Sequence, residues 1–94
     1  MPPTRGPLWM DDDNICHHLE QLAAHLDIEV RYEPSAGKVG FCTLRGRKTV
    51  FVDERLPLRS RAAALARVLA QFDTEDIFLP PVVRQLLQDC RGKA

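Results

Sequence analysis

Neither sign of charge predominates in this sequence: 13 Lys and Arg stand against 13 Asp and Glu in 94 residues. That balance argues against a bulk nucleic-acid binder, which usually carries a marked basic excess. It argues equally against a polybasic membrane anchor. Long apolar runs are also missing; none approaches the ~20 residues needed to span a bilayer. The first residues, Met1-Pro2-Pro3-Thr4-Arg5-Gly6-Pro7, hold no apolar stretch of the signal-peptide kind. The expectation is a cytoplasmic protein with no membrane partner. Cysteine is scarce: Cys16, Cys42 and Cys90 are odd in number and include no C-x-x-C pair. Buried free thiols in a reducing compartment are expected rather than a disulfide framework.

Catalytic motifs are missing as well. Ser35 and Ser60 lie in no G-x-S-x-G elbow. There is no G-x-G-x-x-G or Walker sequence to cradle a phosphate, and no H-E-x-x-H. His17, His18 and His25 all fall in one helical stretch. His18 and His25 are seven residues apart, roughly 10 Å along a helix, too far to share an ion. They suit the boundary of an amphipathic face, and no metal or other cofactor is expected. A Cys/His site using Cys16 and Cys42 has no spacing to support it.

What the sequence does hold is a clear order of elements. Apolar residues make up 45% and charged residues 28%, ordinary values for one globular domain. Residues 1–10 contain three of the seven prolines and the only tryptophan, so an irregular tail is expected, its end pinned by Trp9. A single domain over 11–90 follows, then a frayed end at 91–94. Asp11-Asp12-Asp13 suits a helix N-terminus, and Ile15, Leu19, Leu22 and Leu26 repeat at helical spacing, predicting a helix over about 12–26. Alternation of Ile28, Val30 and Tyr32 with Glu29, Arg31 and Glu33 predicts a strand over 28–33. Pro34-Ser35-Ala36-Gly37 is a turn. Further strands are expected at about 38–45 and 48–53, joined by a tight hairpin at Arg45-Gly46-Arg47. Leu58, Ala62, Leu65, Leu69 and Phe72 predict a helix over about 58–72, and Val82, Val83, Leu86 and Leu87 a last one to about Cys90. The expected class is α+β: one helix, a three-stranded antiparallel meander, then two to three helices packed on one face of the sheet.

The zero net charge hides two blocks. Residues 11–33 carry seven acids and one base; residues 34–61 carry seven bases and two acids. Such blocks can pair within a monomer or between chains, so self-association or a protein partner is expected. Arg45, Arg47, Lys48, Arg59 and Arg61 form a candidate basic patch, although charges at hairpin ends and helix starts are commonly just solvated.

The segment Thr49-Val50-Phe51-Val52-Asp53-Glu54-Arg55-Leu56-Pro57-Leu58-Arg59-Ser60-Arg61, followed by an Ala/Leu-rich helix, resembles the minimal zincin-like domain of ImmA/IrrE-type metallopeptidases. Ile77-Phe78-Leu79-Pro80 is similar to the apolar-Pro element after that family's active-site helix. The resemblance covers residues 14–88 in order of elements. It implies a Leu-Ala-His-Glu-x-x-His core, but after Leu65-Ala66 this chain reads Arg67-Val68-Leu69-Ala70-Gln71. Arg67 and Gln71 stand where the family places its two imidazoles, and Val68 where it places the glutamate base. Arginine stays protonated and ligates no zinc; valine takes no proton from water. The implied protein is a small bacterial-type, metal-free and non-catalytic relative, a protein-interaction or regulatory module. Ser60, Arg67 and Gln71 share one helix face and are its candidate vestigial cleft. Two alternatives remain: a nucleic-acid-associated regulator using the basic 38–61 block, and an enzyme with a non-local site from His25, Cys42 and the acids of 73–76.

Overall fold

The computed structural model describes residues 11–34 and 37–92. The expected N-terminal tail with Trp9, the turn residues Ser35 and Ala36, and residues 93–94 lie outside the described residues. The order is α1 (Asp12–His25), β1 (Ile28–Glu33), β2 (Val39–Leu44), β3 (Arg47–Asp53), α2 (Leu58–Leu69) and α3 (Pro81–Gly92).

Two helix ends carry different chemistry from that expected. Asp11 occupies the N-cap of α1 but makes no side-chain capping bond, so Asp12 and Asp13 act on the first turn through the helix dipole alone. Helix α2 ends at Leu69, and Gln71 and Phe72 close a last turn with N–H bonds to the carbonyls of Val68 and Leu69. At the C-terminus, Arg91 is no frayed residue. Its guanidinium donates to the carbonyls of Ala70 and Phe72, both at 2.9 Å, and to the Thr74 hydroxyl at 3.3 Å. Arg91 thus straps the end of α3 to the end of α2 and satisfies carbonyls that a helix terminus leaves open. Arg91→Ala is expected to lower the free energy of unfolding by about 1 kcal/mol in urea titration, the net worth of exposed charge-assisted bonds.

The sheet is mixed, and this corrects the expected meander. Its order is β1-β3-β2, with β1 parallel to β3 and β2 antiparallel to β3. Only β2 and β3 form a hairpin. The turn between them holds Arg45 at φ 55° and Gly46 at φ 79°, the paired positive angles of a two-residue loop whose twist matches its strands. The link from β1 to β2 instead crosses the end of β3. Five residues suffice for that step, since two strand spacings are about 10 Å and five residues reach about 17 Å. Asp53, at the end of β3, fixes the crossing. Its carboxylate accepts from the N–H groups of Gly37 and Arg55 and from the Arg55 guanidinium, and its own N–H donates to the Lys38 carbonyl.

The helices cover one face of the sheet, as expected. Val50 and Val52 of β3 and Ile28 of β1 join Leu19, Leu22, Leu65, Leu69, Val83 and Leu87 in one core. The alternate residues of the strands, Glu29 and Arg31 with Phe51 and Cys42, lie on the other face. There Arg31 pairs with Glu33 at 3.2 Å and lies 5.9 Å from the Phe51 ring centre. None of the described helices is long and apolar enough to cross a membrane.

Candidate functional site

Helix α2 buries Ala62, Leu65, Ala66, Val68 and Leu69 and turns its other side outward. Ser60, Arg67 and Gln71 are all exposed. Spacing of four brings Arg67 and Gln71 together, as the sequence implies. Both line a groove of about 610 Å³ between α2 and α3, whose far wall includes Leu86, Asp89 and Cys90. Ser60 is not among its lining residues. Val68, between the two, is 8% exposed and belongs to the core. The groove therefore offers a guanidinium, an amide, a carboxylate and a thiol, a set suited to polar contacts with a peptide-like group.

A second feature is the edge strand β2. Phe72, one residue after Gln71, meets Phe41 of β2 edge-on at 5.8 Å between ring centres. Strand β2 carries no charge in Val39–Leu44, yet Phe41 and Leu44 are 39% and 40% exposed and Cys42 is exposed too. The expected meander would put this strand in the middle of the sheet, and its thiol was expected to be buried. Only Cys16 is fully buried, while Cys90 is half-buried; all three thiols are free. The available signal was the charge pattern: a run without charges bounded by Lys38 and Arg45.

The candidate basic patch is divided. Arg47 pairs with Asp27 and Glu29, each at 3.7 Å, beside the C-terminal end of α1. Arg59 pairs with Asp12 at 3.8 Å, at the opposite end of that helix. Fourteen residues of helix, about 21 Å, separate the two places. Lys48 lies over the Phe72 ring, and Arg45 sits in the hairpin turn. Arg61 is committed to structure: it donates to the carbonyls of Glu54 and Leu56 and lies 4.9 Å from the Tyr32 ring centre. Part of the acidic and basic blocks thus pairs within the monomer.

Beside Arg61 is a polar cluster that the sequence did not reveal. The Tyr32 hydroxyl donates to the Glu20 carboxylate, and the Cys16 thiol donates to the Leu58 carbonyl at 3.3 Å. Burial, then the bond to Glu20, pushes the Tyr32 phenol well above its ordinary range. Burial also raises Cys16. A thiol held protonated is a poor nucleophile. Nor are the parts of a non-local active site assembled. His25 shares a groove with Asp76 at the end of α1, whereas Cys42 lies on the sheet face away from the helices. His18 lines the same groove as His25. Among the described residues, no group of three or more His, Cys, Asp or Glu is placed to hold a metal ion.

No protein family, curated protein or solved structure matches this chain.

Proposed function

We propose that the chain is a non-catalytic protein-interaction or regulatory module, derived from a zincin-like metallopeptidase domain, that takes an extended segment of a partner protein along β2. The observation that supports this reading is the state of that strand. β2 is at the sheet edge, uncharged along its length, with large apolar side chains in solvent. Natural edge strands are usually blunted by charge, proline or a bulge. An edge left open can add a strand, whose main-chain bonds supply affinity while its alternate side chains find pockets. The groove between α2 and α3 is a second contact place in this reading, with Arg67 and Gln71 meeting carbonyl or carboxylate groups of the partner. The divided and internally paired basic groups weigh against the nucleic-acid alternative. No mobility shift of DNA or RNA is expected even at low salt, where phosphate contacts are strongest.

Capture on the immobilised chain is the test. Arg67→Ala is expected to reduce capture of a specific partner about tenfold, equivalent to ~1.4 kcal/mol, while its thermal unfolding curve stays at the wild-type midpoint. Equal capture by the two chains overturns the groove's role. Capture that leaves the amide exchange of Val39–Leu44 unslowed overturns strand addition.

A further inference from the structure

Of the exposed large apolar side chains, Phe41, Leu44, Leu58 and Phe78, two belong to β2. The register fixes what else this strand offers. Leu44 and Arg47 flank the two-residue turn and form its hydrogen-bonded pair. Bonded and non-bonded pairs alternate, so Cys42 with Thr49 and Gly40 with Phe51 are bonded too. Val39, Phe41 and Thr43 therefore turn their N–H and C=O groups to the open edge of the sheet.

At the hairpin end of the same strand, Leu44 lines a groove of about 530 Å³ on the sheet face away from the helices. The other walls are Glu29 and Arg31 of β1, Arg47 of β3 and Arg45 of the turn, three guanidiniums against one carboxylate. Arg31 is held in place by Glu33 at 3.2 Å and by the Phe51 ring. Arg47 has only loose contacts, at 3.7 Å, to Asp27 and Glu29. A guanidinium carries five N–H donors, so both keep donors for a ligand. Among the described residues Arg45 is in no ion pair. It also breaks a local rule. Its φ of 55° suits Gly, Asn or Asp in such a turn. The residue is an arginine nonetheless, and it is exposed, so packing does not explain it. Rules broken without a packing gain concentrate at functional sites.

We infer that this groove takes a side-chain carboxylate of the partner segment, which rests on the strand addition proposed above. Guanidiniums and carboxylates pair through parallel N–H···O bonds. Strand pairing places the acid. A residue directly opposite Thr43 faces the helices, as Thr43 does. Its neighbour, opposite Leu44, points to the other face and so lies beside the groove. The acid belongs at that neighbour. The residues opposite Thr43, Phe41 and Val39 are apolar, the middle one meeting the Phe41 and Phe72 rings. A second copy of this chain fits the edge poorly. Antiparallel self-pairing about Phe41 lays Lys38 of one copy next to Arg45 of the other at both ends, where like charges repel.

Fluorescence anisotropy with two labelled peptides decides it: Glu-Val-Thr-Val-Ser-Val-Gly-Ser and its counterpart with Gln first, both blocked at their ends. Antiparallel addition sets the first residue opposite Leu44. In low salt the Glu peptide is expected to bind about fivefold tighter than the Gln peptide, the upper range for an exposed charge pair. Arg45→Gly gives the turn a residue it prefers, so the thermal midpoint is expected at or above the wild-type value. The same variant is expected to bring the Glu peptide down to the Gln value and to leave the Gln peptide unchanged. That pattern assigns the gain to one contact. Equal binding of the two peptides by the wild-type chain overturns the inference and leaves strand addition standing. So does an Arg45→Gly chain that still prefers Glu. Binding of neither peptide overturns both. A mass that rises with concentration in sedimentation equilibrium, and no longer rises in Phe41→Pro, makes the occupant a second copy and overturns the inference.

Discussion

Val68→Glu is expected to lower the free energy of unfolding by about 3–5 kcal/mol, the cost of an unpaired buried charge. The side chain is 8% exposed and sits on the same side of α2 as Leu65 and Leu69, which are fully buried. Position 68 is also where the resemblance to metallopeptidases places the glutamate that takes a proton from water. A glutamate here would have to enter the apolar core or drag the helix round to reach solvent. Urea denaturation at neutral pH measures the loss, and the loss should shrink in acid, where the carboxyl is neutral. A variant within about 0.5 kcal/mol of wild type, an ordinary surface value, would show that position 68 opens to the groove. The face would then be one substitution from an acid–base site, against the non-catalytic reading.

Asp53→Asn is expected to lower the thermal midpoint by several degrees and to flatten the acid limb of the stability profile. The backbone N–H groups of Arg55 and Gly37, followed by the Arg55 guanidinium, hold the Asp53 carboxyl well below the usual carboxylate range. In the unfolded chain it titrates near about 3.9. The unfolded state therefore binds the proton first as pH falls, and stability declines from below about pH 5 downward. The contribution is complete at neutral pH and above. Other carboxylates titrate in the same range, so the readout is the difference between the two chains. That gap should be widest at pH 7 and narrow towards pH 2. A gap that stays constant with pH would mean that Asp53 acts by shape alone.

Element positions were legible in the sequence because burial repeats with the period of the backbone. The alternation Ile28, Val30, Tyr32 and the stripe Leu58, Ala62, Leu65, Leu69 each locate an element within a few residues. Sheet order was not legible. Alternation says which face a residue takes, not which strand lies beside it, and Pro34–Gly37 reads equally as a hairpin turn or as a step over one strand. Asp53 decides between them, and its role depends on contacts that form only when the three strand ends meet. The site was legible in part for the same reason. Arg67 and Gln71 share a face by helical arithmetic alone. The exposed β2 and the outward Phe78 were not, since apolar runs such as Val39–Leu44 and Ile77–Leu79 look alike in sequence whether they fill a core or stand in solvent.

The parallel pairing of β1 with β3 also sets an order in time. Leu44 and Arg47 meet across a two-residue turn, so the β2–β3 hairpin can close locally, on the scale of microseconds. Ile28 must find Lys48 and Glu33 must find Asp53 after the hairpin exists, and the ordering entropy of the intervening chain opposes each of those contacts. The first strand in sequence is therefore the last to join the sheet. Conservative substitutions such as Val50→Ala, between the two partners, should slow folding, whereas Val30→Ala should chiefly speed unfolding. Stopped-flow refolding of the two variants distinguishes this sequence of events from one in which all three strands assemble together.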